Sequence, residues 1–268
     1  MSVTILDQIV EQKRLEVAER KSLVPVKSLE RSIYFTSQPV SMRKYLQRPD
    51  LNGIIAEFKR RSPSKGMLNA YASVERTTIG YMQAGASALS VLTDTPFFGG
   101  KSEDLTTARK FNFCPIIRKD FTIDEYQIIE AKSIGADAIL LIAAILTKAE
   151  VERFAQLAHS FGLEVLLEVH SQEELERTLT PHVDMIGVNN RNLHDFTVSL
   201  ETSKQLASLI PQDFVKVSES GLSQPQSLVE LRAHGFEGFL IGETFMRNSR
   251  PEKACSAFIE EVKKLRGM

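Results

Sequence analysis

The sequence predicts a (β/α)8 TIM barrel with an N-terminal helical extension, and three observations support this fold class. The 268 residues, 43% of them hydrophobic, can bury one large core, and a single α/β barrel of this length is common. From Gly53 onward, short apolar runs alternate with amphipathic helical stretches, which is the pattern of a parallel sheet. Eight such runs follow one another, which favours a closed barrel over an open doubly wound sheet.

Residues 1–48 are predicted to form the extension, and residues 49–268 to form the barrel as one catalytic domain. Thr4 and Asp7 can cap a first helix, and Pro25 is expected to mark its end. Between them, apolar residues recur at helical spacing: Leu6, Ile9, Val10 and Val17.

The eight apolar runs are the predicted barrel strands. In chain order they are Ile54–Phe58, Ala88–Leu92, Pro115–Lys119, Ala138–Ile142, Glu164–Val169, Met185–Val188, Phe214–Val217 and Gly238–Ile241. Glycines stand where each predicted helix should end and turn into the following strand: Gly85, Gly135, Gly162 and Gly235. No low-complexity linker or long charge run interrupts the series, so the domain is predicted to be continuous.

Polar residues collect at the ends of five of these runs. The active site of such barrels lies at the carboxyl ends of the strands, so these residues are the candidates for chemistry. They include Glu57 and Lys59, Lys119, Glu168, Asn189 and Arg191, and Glu219, whereas the second and fourth runs end without such groups. Because side chains alternate along a strand, Glu57 and Lys59 share one face, as do Asn189 and Arg191, and Lys119 faces away from Arg118.

The last two strands are followed by residues suited to an anion. Ser220 and Gly221 follow the seventh strand, and Gly242, Glu243 and Thr244 follow the eighth. Barrels of this kind often bind phosphate there through backbone N–H groups and a short helix. With Lys59, Lys119 and Arg191 at the same mouth, a small substrate that carries a phosphate and a carboxylate would fit.

The composition excludes several other classes of function. A net charge of −1 provides no overall attraction to nucleic acid or to an acidic membrane surface. The two cysteines, Cys114 and Cys255, do not form a disulfide framework or a zinc motif, which fits a cytoplasmic protein. No stretch approaches the ~18 consecutive apolar residues of a membrane span. No cluster of His, Cys, Asp or Glu has the spacing of metal ligands, so we expect no metal and no organic cofactor.

Five runs in a fixed order carry a resemblance to a known family. They are IAEFKRRSPSKG at 55–66, RKDF at 118–121, LEVH at 167–170, VNNRNL at 188–193 and SESG at 218–221. Together with Ile5-Leu6-Asp7 and Lys13 in the first helix, they closely resemble indole-3-glycerol-phosphate synthase over nearly the whole chain.

The resemblance implies a reaction and roles for individual residues. The reaction is conversion of 1-(2-carboxyphenylamino)-1-deoxyribulose 5-phosphate to indole-3-glycerol phosphate, carbon dioxide and water, in tryptophan biosynthesis. Lys119 would be the general acid at the ketone oxygen, and Glu168 would assist proton transfer during decarboxylation and dehydration. Lys59 would bind anionic groups, and Glu57 would steer ring closure or the later proton steps.

The remaining implied residues would hold the substrate. Asn189, Arg191 and Glu219 would position hydroxyls and the charged side chains around them. The phosphate would be bound by Ser62, Ser220, Gly221 and Gly242. Some relatives carry serine where this chain has Glu243, so a backbone N–H would have to replace that hydroxyl. Phe98 and Phe121, with Phe97, could form an aromatic wall against the anthranilate ring or could pack in the core.

For several other residues, we predict a role in the fold rather than in catalysis or substrate binding. Arg60, Arg61 and Lys65 are predicted to be a solvated loop face. His170 and His194 follow the fifth and sixth strands, and their neighbours favour capping or packing over acid–base catalysis.

Three other functions remain open at this stage. A Schiff-base aldolase of the same fold would use Lys119 as its nucleophile. Phosphoribosylanthranilate isomerase should carry a cysteine base at the first strand's end, where this chain has Glu57. A catalytically inert barrel could serve as a scaffold. The expected partner is a small phosphorylated substrate, and the expected state is a monomer or weak oligomer, with possible loose association with other enzymes of the tryptophan pathway.

Overall fold

Eight parallel strands form a closed barrel at the centre of the computed structural model, which describes residues 4–193 and 195–267. The strands are β1 (Ile54–Phe58), β2 (Ala88–Leu92), β3 (Ile116–Lys119), β4 (Ala138–Ile142), β5 (Glu164–Val169), β6 (Met185–Asn189), β7 (Val215–Glu219) and β8 (Gly238–Ile241). β1 pairs with both β2 and β8, with Ile55 opposite Ala88 and Leu240, which closes the ring. The predicted fold class is confirmed.

Three strand boundaries differ from the prediction. β3 begins at Ile116, because Pro115 has no N–H to donate to a neighbouring strand. β6 extends to Asn189, and β7 runs from Val215 to Glu219 rather than from Phe214 to Val217. Asn189 and Glu219 are register partners, so both belong to the strands and the barrel fixes their direction.

Helices surround the barrel between the strands. They are α4 (Val74–Gln83), α5 (Ser102–Phe111), α6 (Glu125–Ser133), α7 (Lys148–Ser160), α8 (Gln172–Thr178), α9 (Glu201–Ala207), α10 (Pro225–Ala233), α11 (Glu243–Met246) and α12 (Pro251–Arg266). The four glycines predicted between a helix and the following strand have φ between +74° and +96°, which confirms the predicted turns. No helix in the described part of the chain is long and apolar enough to cross a membrane.

Three helices precede β1 and contact both ends of the barrel. They are α1 (Ile5–Leu23), α2 (Val26–Leu29) and α3 (Met42–Leu46). α1 begins with the predicted Thr4–Asp7 capping box and ends just before Pro25. Met42 and Leu46 of α3 are buried with the interior residues of the strands and close the amino-terminal end of the barrel.

Each strand divides the core into an interior and an exterior layer. Alternate residues, such as Ile55, Ile117 and Leu166, pack inside the barrel, while their neighbours pack against the surrounding helices. Nearer the carboxyl ends, the same inward positions carry polar side chains instead of apolar ones. The apolar interior therefore supports a polar floor at the mouth.

Candidate active site

A cavity opens at the carboxyl ends of the strands and is partly covered by α1. Ile5, Leu6 and Ile9 of α1 form part of its lining. All thirteen residues proposed from the sequence line this cavity: Glu57, Lys59, Ser62, Phe98, Lys119, Phe121, Glu168, Asn189, Arg191, Glu219, Ser220, Gly221 and Gly242. The residues proposed from the sequence therefore lie together in one cavity, while their individual roles stay proposals.

Lys119 lies at the centre of the polar floor. Its Nζ is 2.8 Å from Oε2 of Glu168 and 2.7 Å from Oε2 of Glu219. Burial opposes the charged ammonium, but these two carboxylates outweigh it and raise the pKa of Lys119. Arg118 points the other way, to Asp120 and Glu130 outside the barrel. Lys119 is thus the inward, protonated cation, as the alternation predicts.

The two carboxylates beside Lys119 differ in their hydrogen bonding. Glu168 also accepts a 3.0 Å hydrogen bond from Asn189, and although burial opposes ionisation, Lys119 and His170 lower its pKa. Burial and the nearby charge of Glu168 raise the pKa of Glu219, against the opposing effect of Lys119. Oε1 of Glu219 has no hydrogen-bond partner among residues 4–193 and 195–267.

Two inward-facing glycines leave space for carboxylate side chains in the cavity. A Cβ built on Gly187 of β6 would lie 2.3 Å from Oε1 of Glu219, so a side chain there would displace the carboxylate. At the end of β8, a Cβ on Gly242 would lie 2.3 Å from Oε1 of Glu57. Glycine at these inward positions leaves space for the two carboxylates.

Glu57 and Lys59 form an ion pair at the end of β1. Their Oε1 and Nζ atoms are 2.7 Å apart, and Ser90 donates a 3.3 Å hydrogen bond to the other oxygen of Glu57. Both side chains line the cavity, so the pair is part of the polar floor rather than a solvated strand end.

An aromatic wall faces this polar floor. The rings of Phe98 and Phe121 lie 5.9 Å apart and both line the cavity. Phe97 is not among the cavity-lining residues, and its carbonyl accepts a hydrogen bond from Arg61. The two wall residues therefore come from the loops after β2 and β3.

The opposite side of the cavity contains the residues proposed for phosphate. Ser220 and Gly221 both have positive φ, at 67° and 76°, where the chain turns sharply after β7. Gly242 is the N-cap of α11, which begins at Glu243. Arg191 lies 3.3 Å from Glu243, so an acidic side chain contacts this cation in the free protein.

The predicted solvated loop face after β1 is wrong for two of its three residues. Arg60 pairs with Asp104 and donates to the carbonyl of Gly99, and Arg61 donates to the carbonyl of Phe97. Both arginines therefore tie this loop to the loop after β2. Lys65 is half exposed, as predicted, and its Nζ lies 3.9 Å from Glu243.

From the sequence, Lys13 contributes only to the family resemblance, and its burial at the mouth is not predicted. Lys13 of α1 lies 2.9 Å from Asp94 and 3.0 Å from Asp120, and all three side chains are buried. Asp94 follows β2, which was predicted to lack functional polar groups at its end. No local signal could have paired Asp94 with Lys13, because the contact exists only once α1 lies across the mouth.

His170 does not cap α8, whose N-cap is Ser171, but it packs beside the start of this helix. Its backbone N–H donates a 2.8 Å hydrogen bond to the side chain of Glu174. Its ring Nε2 also lies 3.4 Å from Oε1 of Glu168. His194 lies outside the described residues.

Neither cysteine lies in the cavity. Cys114 and Cys255 are both buried and free, and burial raises the pKa of the Cys114 thiol to about 12. Within the ranges that the structure describes, no group of three or more His, Cys, Asp or Glu side chains could hold a metal ion.

Fold and site together define a barrel enzyme with acid–base groups at the carboxyl ends of its strands. The model of the family "Indole-3-glycerol phosphate synthase" matches residues 6–258. The chain is 50% identical to the indole-3-glycerol phosphate synthase of Bacteroides thetaiotaomicron over 258 residues, covering 96% of this chain and 98% of that protein. It is 41% identical to the one from Acinetobacter baylyi over 254 residues, covering 94% of each chain. The chain belongs to the indole-3-glycerol phosphate synthase family.

A solved structure described as "Native KDPGal structure" shares the fold. It has a TM-score of 0.59 at 14% identity and covers 87% of this chain and 100% of its own. At that identity the likeness concerns the barrel alone.

Proposed function

We propose that this chain is a carbon–carbon carboxy-lyase that closes the indole ring of 1-(2-carboxyphenylamino)-1-deoxyribulose 5-phosphate, forming indole-3-glycerol phosphate, carbon dioxide and water. The observation that carries the proposal is the position of Lys119 between Glu168 and Glu219. It places a charged acid and two carboxylates of unlike pKa in one cavity. Family membership supplies the substrate and the place in tryptophan biosynthesis.

Ring closure needs a proton donor at the ketone. The aromatic carbon that bears the carboxylate must bond to the ketone carbon, which leaves negative charge on the ketone oxygen. Lys119 is charged and directed into the cavity, so its ammonium can donate a proton to that oxygen as charge develops. Its raised pKa also disfavours the neutral amine that a Schiff-base aldolase needs, so the structure supports the acid role.

The later steps need a proton donor and a proton acceptor. After carbon dioxide leaves, the new hydroxyl takes up a proton and departs as water, and the ring system loses a proton from carbon. Glu168 is held ionised by Lys119 and oriented by Asn189, so it can accept that proton. Glu219 has the raised pKa, and it can hold the second proton of the pair or return one to Lys119.

The cavity offers separate places for the ends of the substrate. Lys59 can pair with the carboxylate before it is lost, while Glu57 holds the ammonium in position. Phe98 and Phe121 can face the anthranilate ring. The phosphate fits the turn after β7 and the start of α11, with polar groups from Ser62, Ser220, Gly221 and Gly242 and with Arg191 nearby.

The extension belongs to the proposed catalytic unit. We retain residues 1–48 as the extension and residues 49–268 as the barrel, since α1 completes a cavity that the strands begin. A cytoplasmic location, a monomeric or weakly oligomeric state and loose contacts with other enzymes of the tryptophan pathway stay predictions.

The direct test is turnover of the carboxyphenylamino-deoxyribulose phosphate, followed by the appearance of indole absorbance and fluorescence. The chain contains no tryptophan, so the fluorescence background is low. Lys119→Met is the matched negative control. If no indole formed, the proposal would be wrong. Borohydride treatment with a ketose phosphate distinguishes the proposed function from a Schiff-base aldolase. Only an aldolase would gain covalent mass on Lys119.

A further inference from the structure

His170 lies behind Glu168 and is not among the residues that line the cavity. Its side chain is 11% exposed. On one side, its ring Nδ1 lies 3.2 Å from Oε2 of Glu174, which also accepts its backbone N–H. On the other side, Nε2 lies 3.4 Å from Oε1 of Glu168. The imidazole therefore stands between two carboxylates, only one of which belongs to the site.

The hydrogen-bonding inventory of imidazole restricts its state. Facing a carboxylate, Nδ1 must carry a proton, so a neutral ring would direct the lone pair of Nε2 toward Glu168. Two lone pairs at that distance repel each other, whereas a proton on Nε2 makes the contact attractive. Nε2 has no hydrogen-bond partner within the ranges that the structure describes, so the 3.4 Å contact with Glu168 is the one ion-pair contact it has there. The arrangement is thus complete only when the ring is charged.

The surroundings favour the charged ring. Three carboxylates act on it: Glu168 on β5, Glu174 on α8 and Glu219 on β7, while Lys119 on β3 contacts Glu168 from the other side. Burial alone would lower the pKa of His170, but the hydrogen bond to Glu174 and these negative charges raise it.

We propose that His170 is a positioning residue that, as an imidazolium held by Glu174, fixes the orientation of the Glu168 carboxylate and keeps it ionised. The inference rests on the proposed role of Glu168 as proton acceptor. Lys119 and Asn189 contact Glu168 from inside the cavity, and His170 contacts it from behind. Without His170, the carboxylate would keep its cavity partners but lose the contact that limits its rotation.

Two amide variants separate the two contacts of the ring. In His170→Gln the amide nitrogen reaches roughly the place of Nε2 and can still donate to Glu168. In His170→Asn it reaches roughly the place of Nδ1 and can donate only to Glu174. We expect His170→Gln to keep kcat within ~3-fold of the wild type, and His170→Asn to lose ~10-fold in kcat with KM changed by less than ~3-fold.

A structural role alone would give a different pattern. Both variants would then lower the Tm, while kcat per folded molecule would stay that of the wild type, and this result would overturn the inference. His159→Gln is the matched control, because His159 pairs with Asp184 near the start of β6, away from the cavity. It should leave kcat unchanged at every pH.

A titration by NMR tests the contact independently of turnover. With 15N-labelled histidine, the signal of His170 is the one that is missing in His170→Gln. Because linkage is reciprocal, Glu168→Gln and Glu174→Gln should each lower the pKa of His170. An unchanged His170 titration in Glu168→Gln would overturn the inference. A lowered pKa in a protein that makes no indole would keep the contact and reject only the proposed reaction.

Discussion

Two buried lysines at the mouth of the barrel, Lys13 and Lys119, each lie between two buried carboxylates, but only the pair beside Lys13 has a hydrogen-bond donor or a cation at every carboxylate oxygen. Oδ1 of Asp94 accepts hydrogen bonds from the backbone N–H groups of Phe97 and Phe98, and Oδ2 lies 2.9 Å from Nζ of Lys13. Asp120 accepts from Thr93 and Arg118 as well as from its own loop. Beside Lys119, by contrast, Oε1 of Glu219 has neither a hydrogen-bond partner nor an ion-pair partner in the described part of the chain, because Lys119 contacts the other oxygen.

The difference fits the proposed roles of a structural cluster, Lys13 with Asp94 and Asp120, and a chemical cluster, Lys119 with Glu168 and Glu219. Around Lys13, burial opposes ionisation of Asp120, but Lys13 and Arg118 outweigh it and lower its pKa, so the aspartate stays charged. Around Lys119, two glutamates compete for one cation and their pKa values move apart. A donor or cation at every carboxylate oxygen holds α1 and the aromatic wall in place, whereas the unpartnered oxygen of Glu219 can take up a proton.

Removing the cation of the chemical cluster should have the largest effect on turnover. Lys119→Met should lower kcat by ~10² to ~10⁴ with a modest change in KM, because a proton donor acts mainly in the transition state. Steady-state kinetics measures this. Arg118→Met, on the outer face of the same strand, is the control and should lower stability while kcat per folded molecule stays close to that of the wild type. Loss of kcat in Arg118→Met alone would reverse the assignment.

A smaller loss of kcat is expected when the carboxylate of Glu219 is displaced. In Gly187→Ala the new Cβ would lie too close to Glu219, whose flexible end must shift away from Lys119. We expect kcat to fall ~10-fold through this misplacement, with little change in Tm. Kinetics and thermal unfolding of the same preparation test the prediction. Unchanged kcat would show that the position of Glu219 is not critical.

Removing the cation of the structural cluster should affect stability more than chemistry. Lys13→Met leaves Asp94 without its cation and Asp120 with Arg118 alone, which should lower the free energy of unfolding by about 3 kcal/mol. KM should rise several-fold because α1 lines the cavity, and kcat should change by less than ~3-fold. Urea unfolding and kinetics separate these outcomes. A loss of kcat as large as in Lys119→Met would contradict the comparison.

The smallest effect is a difference in pH dependence between the clusters. The pKa of Glu219 is raised from 4.5 to about 7, so its contribution to stability is complete below about pH 4.5 and is lost as the pH rises through 7. Asp120 has a lowered pKa, so its contribution is present above its ordinary value of 3.8 and is lost in acid. Glu219→Gln should therefore flatten the stability profile between pH 4.5 and 7 without changing acid unfolding. Urea midpoints across this range measure it, and an unaltered slope would argue against the raised pKa.

The chemical cluster could be predicted from sequence, and the structural cluster could not. Strand alternation alone directed Glu57, Lys119 and Glu168 into one cavity, because a closed barrel brings all carboxyl ends of its strands together. Lys13 occupies an ordinary position on a helix, and nothing local indicates that α1 lies across the mouth. The contact of His170 with Glu168 depends likewise on the turn after β5, where Glu174 of α8 contacts the other ring nitrogen.

The contacts of loop residues could not be predicted from the sequence either. Arg60 and Arg61 form a basic run that is typical of a solvated loop, yet their partners stand after β2, in a segment distant in the sequence. Pairings of this kind depend on loop conformation, which residue pattern does not specify.

The placement of α3 has a consequence for the order in which the protein is assembled. Met42 and Leu46 pack inside a ring that closes only when Leu240, on the last strand, is in place. During synthesis these two side chains leave the ribosome early and must wait for nearly the whole chain before they can be buried. We therefore expect the early segment to reach its final position among the last events of folding, and a slowly closing barrel to expose an apolar base until then.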